Sequence, residues 1–387
     1  MTDQVLDGVR DLLPVLRERA QETEDARRIP DATIKSLQET GFFRLLQPAR
    51  YGGFEGDPVA FYTAVKLIAG ACGSTGWVAS VIGVHNWQLG LFPAQAQADV
   101  WADDPNTRIS SSYAPMGKAT PVDGGYRFTG RWSFSSGCDH ATWVFVGGLV
   151  RDGDGAPIDY CTFLVPRADY AIDDVWDTIG LRGTGSNDVI IDDVFVPAHH
   201  VLSFGDMARC MCPGQQVNPA PLYRLPFGSV FTNTITAPII GMAAGAYAAH
   251  VDHQRERISV YGNEKAKDDP FGKVRIATAA AEIDAAWLQL THNLTEEMDL
   301  ARAGEKIPMS LRLRVRRDQV LGTGRAIAAV DLLFENSGGR ALKVGTPIQR
   351  FWRDAHAGRV HAANDPERAL KMFGDGEFGN KVQDAML

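Results

Sequence analysis

The sequence predicts an α+β fold in three consecutive parts: an N-terminal helical domain over residues 1–106, a middle antiparallel β domain over 107–215 and a C-terminal four-helix bundle over 216–387. Three observations predict it. Apolar residues recur at helical spacing through the first hundred positions. Runs of β-branched and aromatic residues then alternate with Asp/Gly turns, and long Ala-rich stretches close the chain. A chain of 387 residues also exceeds the ~250–300 at which one hydrophobic core stops growing, so packed subdomains are expected.

In the first part, Val9, Leu12, Leu13 and Leu16 fall at helical spacing with charges between them. Pro30 and Asp31 open a second helix, with Asp31 read as the N-cap, Ile34 and Leu37 on its apolar side, and Gly41 as the left-handed residue that ends it. Residues 61–84 are small and apolar, which predicts buried, closely packed helices. In the middle part, 126–132, 142–150, 160–166 and 189–196 read as strands. Asp123-Gly124-Gly125 and Asp152-Gly153-Asp154-Gly155 read as turns. Helices resume near Ser229 and run to about Phe351. Their Ala-rich stretches (243–249, 277–286, 326–329) suit close packing in a bundle. Asp269-Pro270 starts one long helix and Ile307-Pro308 precedes another, while the residues after Asn364 read as a polar surface segment.

Composition excludes several function classes. A net charge of −8 gives no basic footprint for nucleic acid. The five cysteines (Cys72, Cys138, Cys161, Cys210, Cys212) match no zinc spacing and read as free thiols, so no metal is expected. The start Met1-Thr2-Asp3-Gln4 lacks a signal-peptide pattern. No apolar run reaches the ~18 residues of a membrane span, so a cytoplasmic protein with no membrane partner is expected. The glycines of 180–185 lie between strands rather than opening a βαβ helix, which argues against a tightly held nicotinamide cofactor.

Short motifs in fixed order carry a resemblance over nearly the whole chain. They are Arg28-Ile29-Pro30 leading to Gly41-Phe42-Phe43 and on to Tyr51-Gly52-Gly53; Phe134-Ser135-Ser136-Gly137; Gly180-Leu181-Arg182-Gly183-Thr184-Gly185-Ser186; and Arg353-Asp354-Ala355 followed by Val360-His361-Ala362. Together they resemble the acyl-CoA dehydrogenase superfamily. Many of its dehydrogenases carry a Tyr-Glu pair after the Arg-Asp motif, and its Glu removes a substrate proton. Here His361 and Ala362 stand there, and alanine takes no proton. Histidine at this place is similar to the superfamily's two-component flavin-dependent phenol hydroxylases. The segments 110–115, 135–140 and 352–366 are most similar to the oxygenases that act on a phenolic secosteroid in actinobacterial steroid and cholesterol degradation.

The resemblance implies a fold and a chemistry. A separate NADH-dependent reductase supplies reduced FMN, with FAD as the alternative, and its reaction with O₂ gives a flavin C4a-hydroperoxide that ortho-hydroxylates a phenol to a catechol. Phe134, Ser135 and Ser136 would wall the flavin, with Ser136 near N5. Ser111, Ser112 and Tyr113 would meet another edge, and Trp77 would pack from the helices. Arg257 would meet the cofactor phosphate, with Arg255 as its rival. Gly339 and Arg340 would reach a cofactor in a neighbouring subunit of a homotetramer. His361, beside Ala362, is the expected base for the phenol, because a phenol with pKa near ~10 is mostly protonated at neutral pH. His85 and His140 are its rivals. His85, Trp87 and Phe92 are expected to line an apolar substrate pocket, and 202–211 to form a lid over it. An acyl-CoA dehydrogenase, a monooxygenase of the same group with another aromatic substrate, and a non-catalytic flavin carrier stand as the other readings.

Overall fold

A computed structural model describes residues 1–258, 265–384 and 386–387. Six helices come first: α1 (Thr2–Glu18), α2 (Ala20–Asp25), α3 (Asp31–Glu39), α4 (Pro58–Ala71), α5 (Gly73–Leu89) and α6 (Ala94–Trp101). Seven strands follow: β1 (Ile109–Val122), β2 (Gly125–Ser135), β3 (Trp143–Arg151), β4 (Pro157–Pro166), β5 (Ala171–Asp173), β6 (Asn187–Pro197) and β7 (Val201–Ser203). A short α7 (Phe204–Arg209) leads to α8 (Phe227–Glu256), α9 (Pro270–Ala303), α10 (Met309–Ser337), α11 (Pro347–Arg359) and α12 (Pro366–Glu377).

The strands form one sheet in the order β5-β6-β2-β1-β3-β4-β7. It is mixed rather than wholly antiparallel, because β3 lies parallel to β1, with Ser111 opposite Phe145. The hairpin at Gly124 sends β2 back toward the start of β1. The Gly137–Ala141 turn then carries the chain beneath β1 and begins β3 on its other edge, running the same way. This crossover places Ser136 at the end of the sheet that faces α5.

Local signals explain most helix boundaries. The Asp57 carboxylate accepts Val59 N–H at 2.9 Å with Pro58 at the first helical position, and Asp269 does the same for α9. Gly41 is left-handed at φ 82°, as read from the sequence. Asp31 is not a cap: Pro30 holds that position and the Asp31 carboxylate pairs with Arg28 instead. The segment after Asn364 is not an irregular tail either. Asp365 accepts the N–H groups of Glu367 and Arg368 and starts α12.

Small residues set the central packing. A Cβ on Gly241 would lie 2.5 Å from the Lys66 carbonyl oxygen, and one on Gly245 would lie 2.6 Å from that of Gly70. Glycine at these two places lets α4 and α8 touch backbone to backbone. α8 has the length and apolar composition of a membrane span, yet most of it is buried against the chain's own helices.

Candidate active site

Helix α5 carries the centre of the site. Trp77, Val81, Val84, His85 and Gln88 share one side of it, since they lie near whole turns of a 3.6-residue period. Trp77 and His85 are about 12 Å apart along the axis by the 1.5 Å rise per residue. Two polar clusters, one at each of these residues, are thus fixed to a single rigid element.

The first cluster is a chain of hydroxyls. The Trp77 indole N–H donates to Ser136 Oγ at 3.1 Å. Ser136 and Ser186 Oγ lie 2.7 Å apart, and Ser186 and Thr184 hydroxyls 2.6 Å apart. Thr184 donates to the Leu181 carbonyl at 2.8 Å, and a carbonyl only accepts. That end fixes the direction: Ser186 donates to Thr184, and Ser136 donates to Ser186. Ser136 Oγ therefore keeps one lone pair free, as an acceptor. Beside it, Phe134 sits at φ 70°, 68% exposed as a residue, with its ring edge-on to Trp176 at 5.9 Å. An exposed aromatic held in a strained backbone conformation is the kind of wall a flat heteroaromatic cofactor would cover.

His361 stands over this cluster, its ring centroid 6.0 Å from that of Trp77. Its Nδ1 accepts the Ala363 N–H at 3.1 Å, so the neutral ring carries its proton on Nε2. Burial, with the Arg316 charge, pushes its pKa down to about 4. Ala362 itself is exposed. The Arg353-Asp354 motif before it proves to be a clamp. Asp354 Oδ1 accepts Leu181 N–H at 2.7 Å, and Arg353 donates to the Ile179 carbonyl at 2.6 Å. Burial raises the Asp354 pKa to about 6. A Cβ on Gly180 would fall 2.2 Å from the Arg353 carbonyl oxygen, so that turn needs glycine to press against α11.

The second cluster surrounds His85. Its Nδ1 lies 2.6 Å from the Ile109 carbonyl, which only accepts, so Nδ1 carries the proton and Nε2 is the bare lone pair. Nε2 is buried without a hydrogen-bond partner, as is the Gln88 amide nitrogen. Burial lowers the His85 pKa to about 4. The Tyr113 hydroxyl donates to Gln88 Oε1, and burial raises its pKa. The rings of Phe204, Phe227, Phe231 and Phe145 close the box. Phe204 also stacks on Tyr160 at 4.0 Å, which sets α7 against the box.

The remaining expected residues divide. Phe92 is fully buried behind Phe145, and Trp87 points the other way along α5, donating to the Leu222 carbonyl at 3.0 Å. Both sit one layer behind the box. Ser111 shares a strand face with Tyr113, whereas Ser112 donates to the Ser133 carbonyl and Ser135 to Ser110 across the sheet. His140 lies away from both clusters, near Asp31. Arg257 donates to the Asn336 carbonyl at 2.8 Å and folds over Gly338, next to exposed Gly339 and Arg340. Arg255 instead pairs with Asp252 on the surface. Sequence reading missed Gln88, Thr184, Ser186 and the clamp role of Asp354. Thr184 and Ser186 were inside a motif already singled out.

The chain is similar to known proteins over nearly its whole length. Residues 2–103 match the acyl-CoA dehydrogenase N-terminal domain and residues 233–366 its C-terminal domain. The chain is 63% identical over 377 residues to a flavin-dependent monooxygenase oxygenase subunit, HsaA, of Rhodococcus jostii, covering 97% of this chain and 98% of that one. The chain belongs to the acyl-CoA dehydrogenase superfamily, among its flavin-dependent monooxygenases. The HsaA subunit of Mycobacterium tuberculosis is 58% identical to this monooxygenase, covering 99% of this chain and 97% of that one. The crystal structure of 3-HSA hydroxylase from Rhodococcus sp. RHA1 superimposes with a TM-score of 0.96 at 62% identity, covering 99% of each chain.

Proposed function

We propose that this monooxygenase ortho-hydroxylates a phenolic secosteroid to a catechol in steroid degradation. Reduced flavin, when bound, would supply the two electrons that activate O₂, one atom of which enters the phenol while the other leaves as water. One observation carries the reading: a buried, unpartnered acceptor, His85 Nε2, in an aromatic box. That is the complement of a phenol O–H. Many dehydrogenases of the superfamily would instead place a carboxylate at the position of Ala362.

From their hydrogen bonds we read the two histidines differently from the sequence expectation. His85 Nε2 would accept the phenol O–H, making the ring carbon ortho to the oxygen more nucleophilic, and take its proton as the C–O bond forms and that O–H becomes strongly acidic. His361 Nε2–H is a donor, and it steadies negative charge near the flavin. Ser136 Oγ, with its one free lone pair, fits the N5–H of a reduced flavin, since oxidised N5 has no hydrogen to give. Trp77, Phe134 and the Ser111–Tyr113 strand edge form the rest of the flavin wall. Arg257, Gly339 and Arg340 serve its phosphate. FMN is our assignment, delivered by a separate NADH-dependent reductase. We also assign a cytoplasmic homotetramer, supported by exposed apolar Phe271, Val274, Leu342 and Val344 near the Gly339 turn. Sedimentation as a monomer at micromolar concentration would remove that part.

The test is direct. Protein is mixed anaerobically with photoreduced FMN or FAD, then with oxygenated buffer and a phenolic secosteroid. A product heavier by one oxygen supports the reading. Reoxidation without product, with an acyl-CoA bleaching a bound flavin, would hand the chain to the dehydrogenases.

A further inference from the structure

Away from the site, three metal-ligating side chains converge. Asp99 on α6 receives His199 Nε2 and His200 Nε2 on the same oxygen, Oδ2, each at 2.8 Å. All three ligand atoms lie within 4.8 Å of one another. The other carboxylate oxygen, Oδ1, accepts the Gln95 amide at 2.7 Å, which turns Oδ2 toward the imidazoles. The two rings are 4.5 Å apart, and the edge of Trp143 holds the His200 ring at 5.5 Å.

Simple hydrogen bonding leaves this cluster incompletely satisfied. With both Nε2–H groups donating to Asp99, His200 Nδ1 is an acceptor, and it is buried without a partner. The His200 residue is only 6% exposed, so water does not compensate freely. A cation at Nε2 changes this. The ring's proton then sits on Nδ1, and its Nε2 lone pair is free for the ion.

We propose that Asp99, His199 and His200 form a divalent transition-metal site of the two-histidine, one-carboxylate type, with Zn²⁺ as its natural-sized occupant. Imidazole and carboxylate ligands suit Zn²⁺, Ni²⁺ and Cu²⁺ over Ca²⁺ or Mg²⁺. Each Nε2–Oδ2 separation would open from 2.8 Å to roughly 3.3 Å, the edge of a tetrahedron with ~2.05 Å bonds, and the two Nε2 atoms already lie within 4.8 Å of each other. Asp99 and His199 stay about one third exposed, which leaves an entry path and room for water as the remaining ligand. The two histidines lead directly into β7 and α7, so an ion here ties α6 to the root of the segment that carries Phe204.

The experiment uses the full chain without a polyhistidine tag, stripped of metal. Zn²⁺ is titrated against a chromophoric chelator, and Co²⁺ is added separately for its visible absorption. One Zn²⁺ per chain, and Co²⁺ bands of four- or five-coordinate N/O ligation, are expected. His199→Gln and Asp99→Asn each weaken Zn²⁺ binding by at least about tenfold, whereas His292→Gln on α9 leaves it unchanged. Absence of stoichiometric binding to the native chain, or equal affinity in Asp99→Asn, overturns the site. Loss of binding in His292→Gln alone assigns the ion to the His292–Glu296 pair and overturns it too.

Discussion

His85 and His361 are both driven to a pKa of about 4, chiefly by burial, yet they present opposite faces to the chemistry. His85 gives its Nδ1 proton to the Ile109 carbonyl and turns a lone pair inward. His361 accepts the Ala363 N–H on Nδ1 and turns a proton inward. The ring is the same, so the difference is made entirely by one backbone partner: a carbonyl in one case, an amide in the other. A buried histidine's role is therefore set by its outer nitrogen.

The largest test of this contrast is His85→Ala. Losing a positioned base costs about 10²–10⁴-fold in hydroxylation, while reduced flavin still consumes O₂ and releases peroxide. The residual rate should climb toward the phenol's own pKa near ~10, because solvent must then ionise it. A flat profile breaks the assignment. His361→Ala should also uncouple oxygen use from product, but its residual rate should not acquire that alkaline limb. If it does, the two roles are exchanged.

A smaller effect is expected at the hydroxyl chain. Ser186→Ala frees the Ser136 hydroxyl to donate, so the preference for reduced over oxidised flavin should fall by about tenfold, one well-placed hydrogen bond. Equilibrium binding of both redox states, measured anaerobically, checks it. The Asp354 clamp follows: Asp354→Ala leaves the Leu181 N–H unpartnered and should cost about 1–3 kcal/mol of stability. Asp354→Asn keeps an acceptor and should cost less, as denaturant midpoints would report.

The smallest and broadest effect is on pH. The folded His85 and His361 have pKa values below the unfolded value of about 6.5, so the unfolded chain binds more protons between there and about 4. Their contribution to stability is full above pH ~6.5 and is lost as pH falls to about 4. Asp354, raised to about 6, works in the opposite sense: the folded state holds its proton longer, so its share of stability is lost as pH rises through that window. His85→Asn should flatten the acid limb of a melting-temperature profile, and Asp354→Asn should steepen it. Equal slopes in all three proteins would show that other groups govern the limb.

What the sequence determined by itself was whatever depends on near neighbours. The Asp269-Pro270 helix start, the Gly41 terminus and the Gly124 hairpin are local preferences of backbone dihedrals and caps, and they can be read in a few residues. Asp365-Pro366 carried the same signal for α12 and was passed over beside a polar segment. The ordered motifs also located Ser136 and His361, and the family resemblance added Trp77; the fold brings the three together. Only the tertiary structure decided the parallel pairing of β1 with β3, the partner of Asp354 across 173 residues and the hydroxyl link from Ser136 to Ser186 across 50. It also decided which nitrogen of His85 is bare, because Ile109, 24 residues further along the chain, takes the other's proton. These features depend on groups brought together by packing, and a hydrogen bond's direction is fixed by whatever atom arrives opposite it, which no local preference encodes.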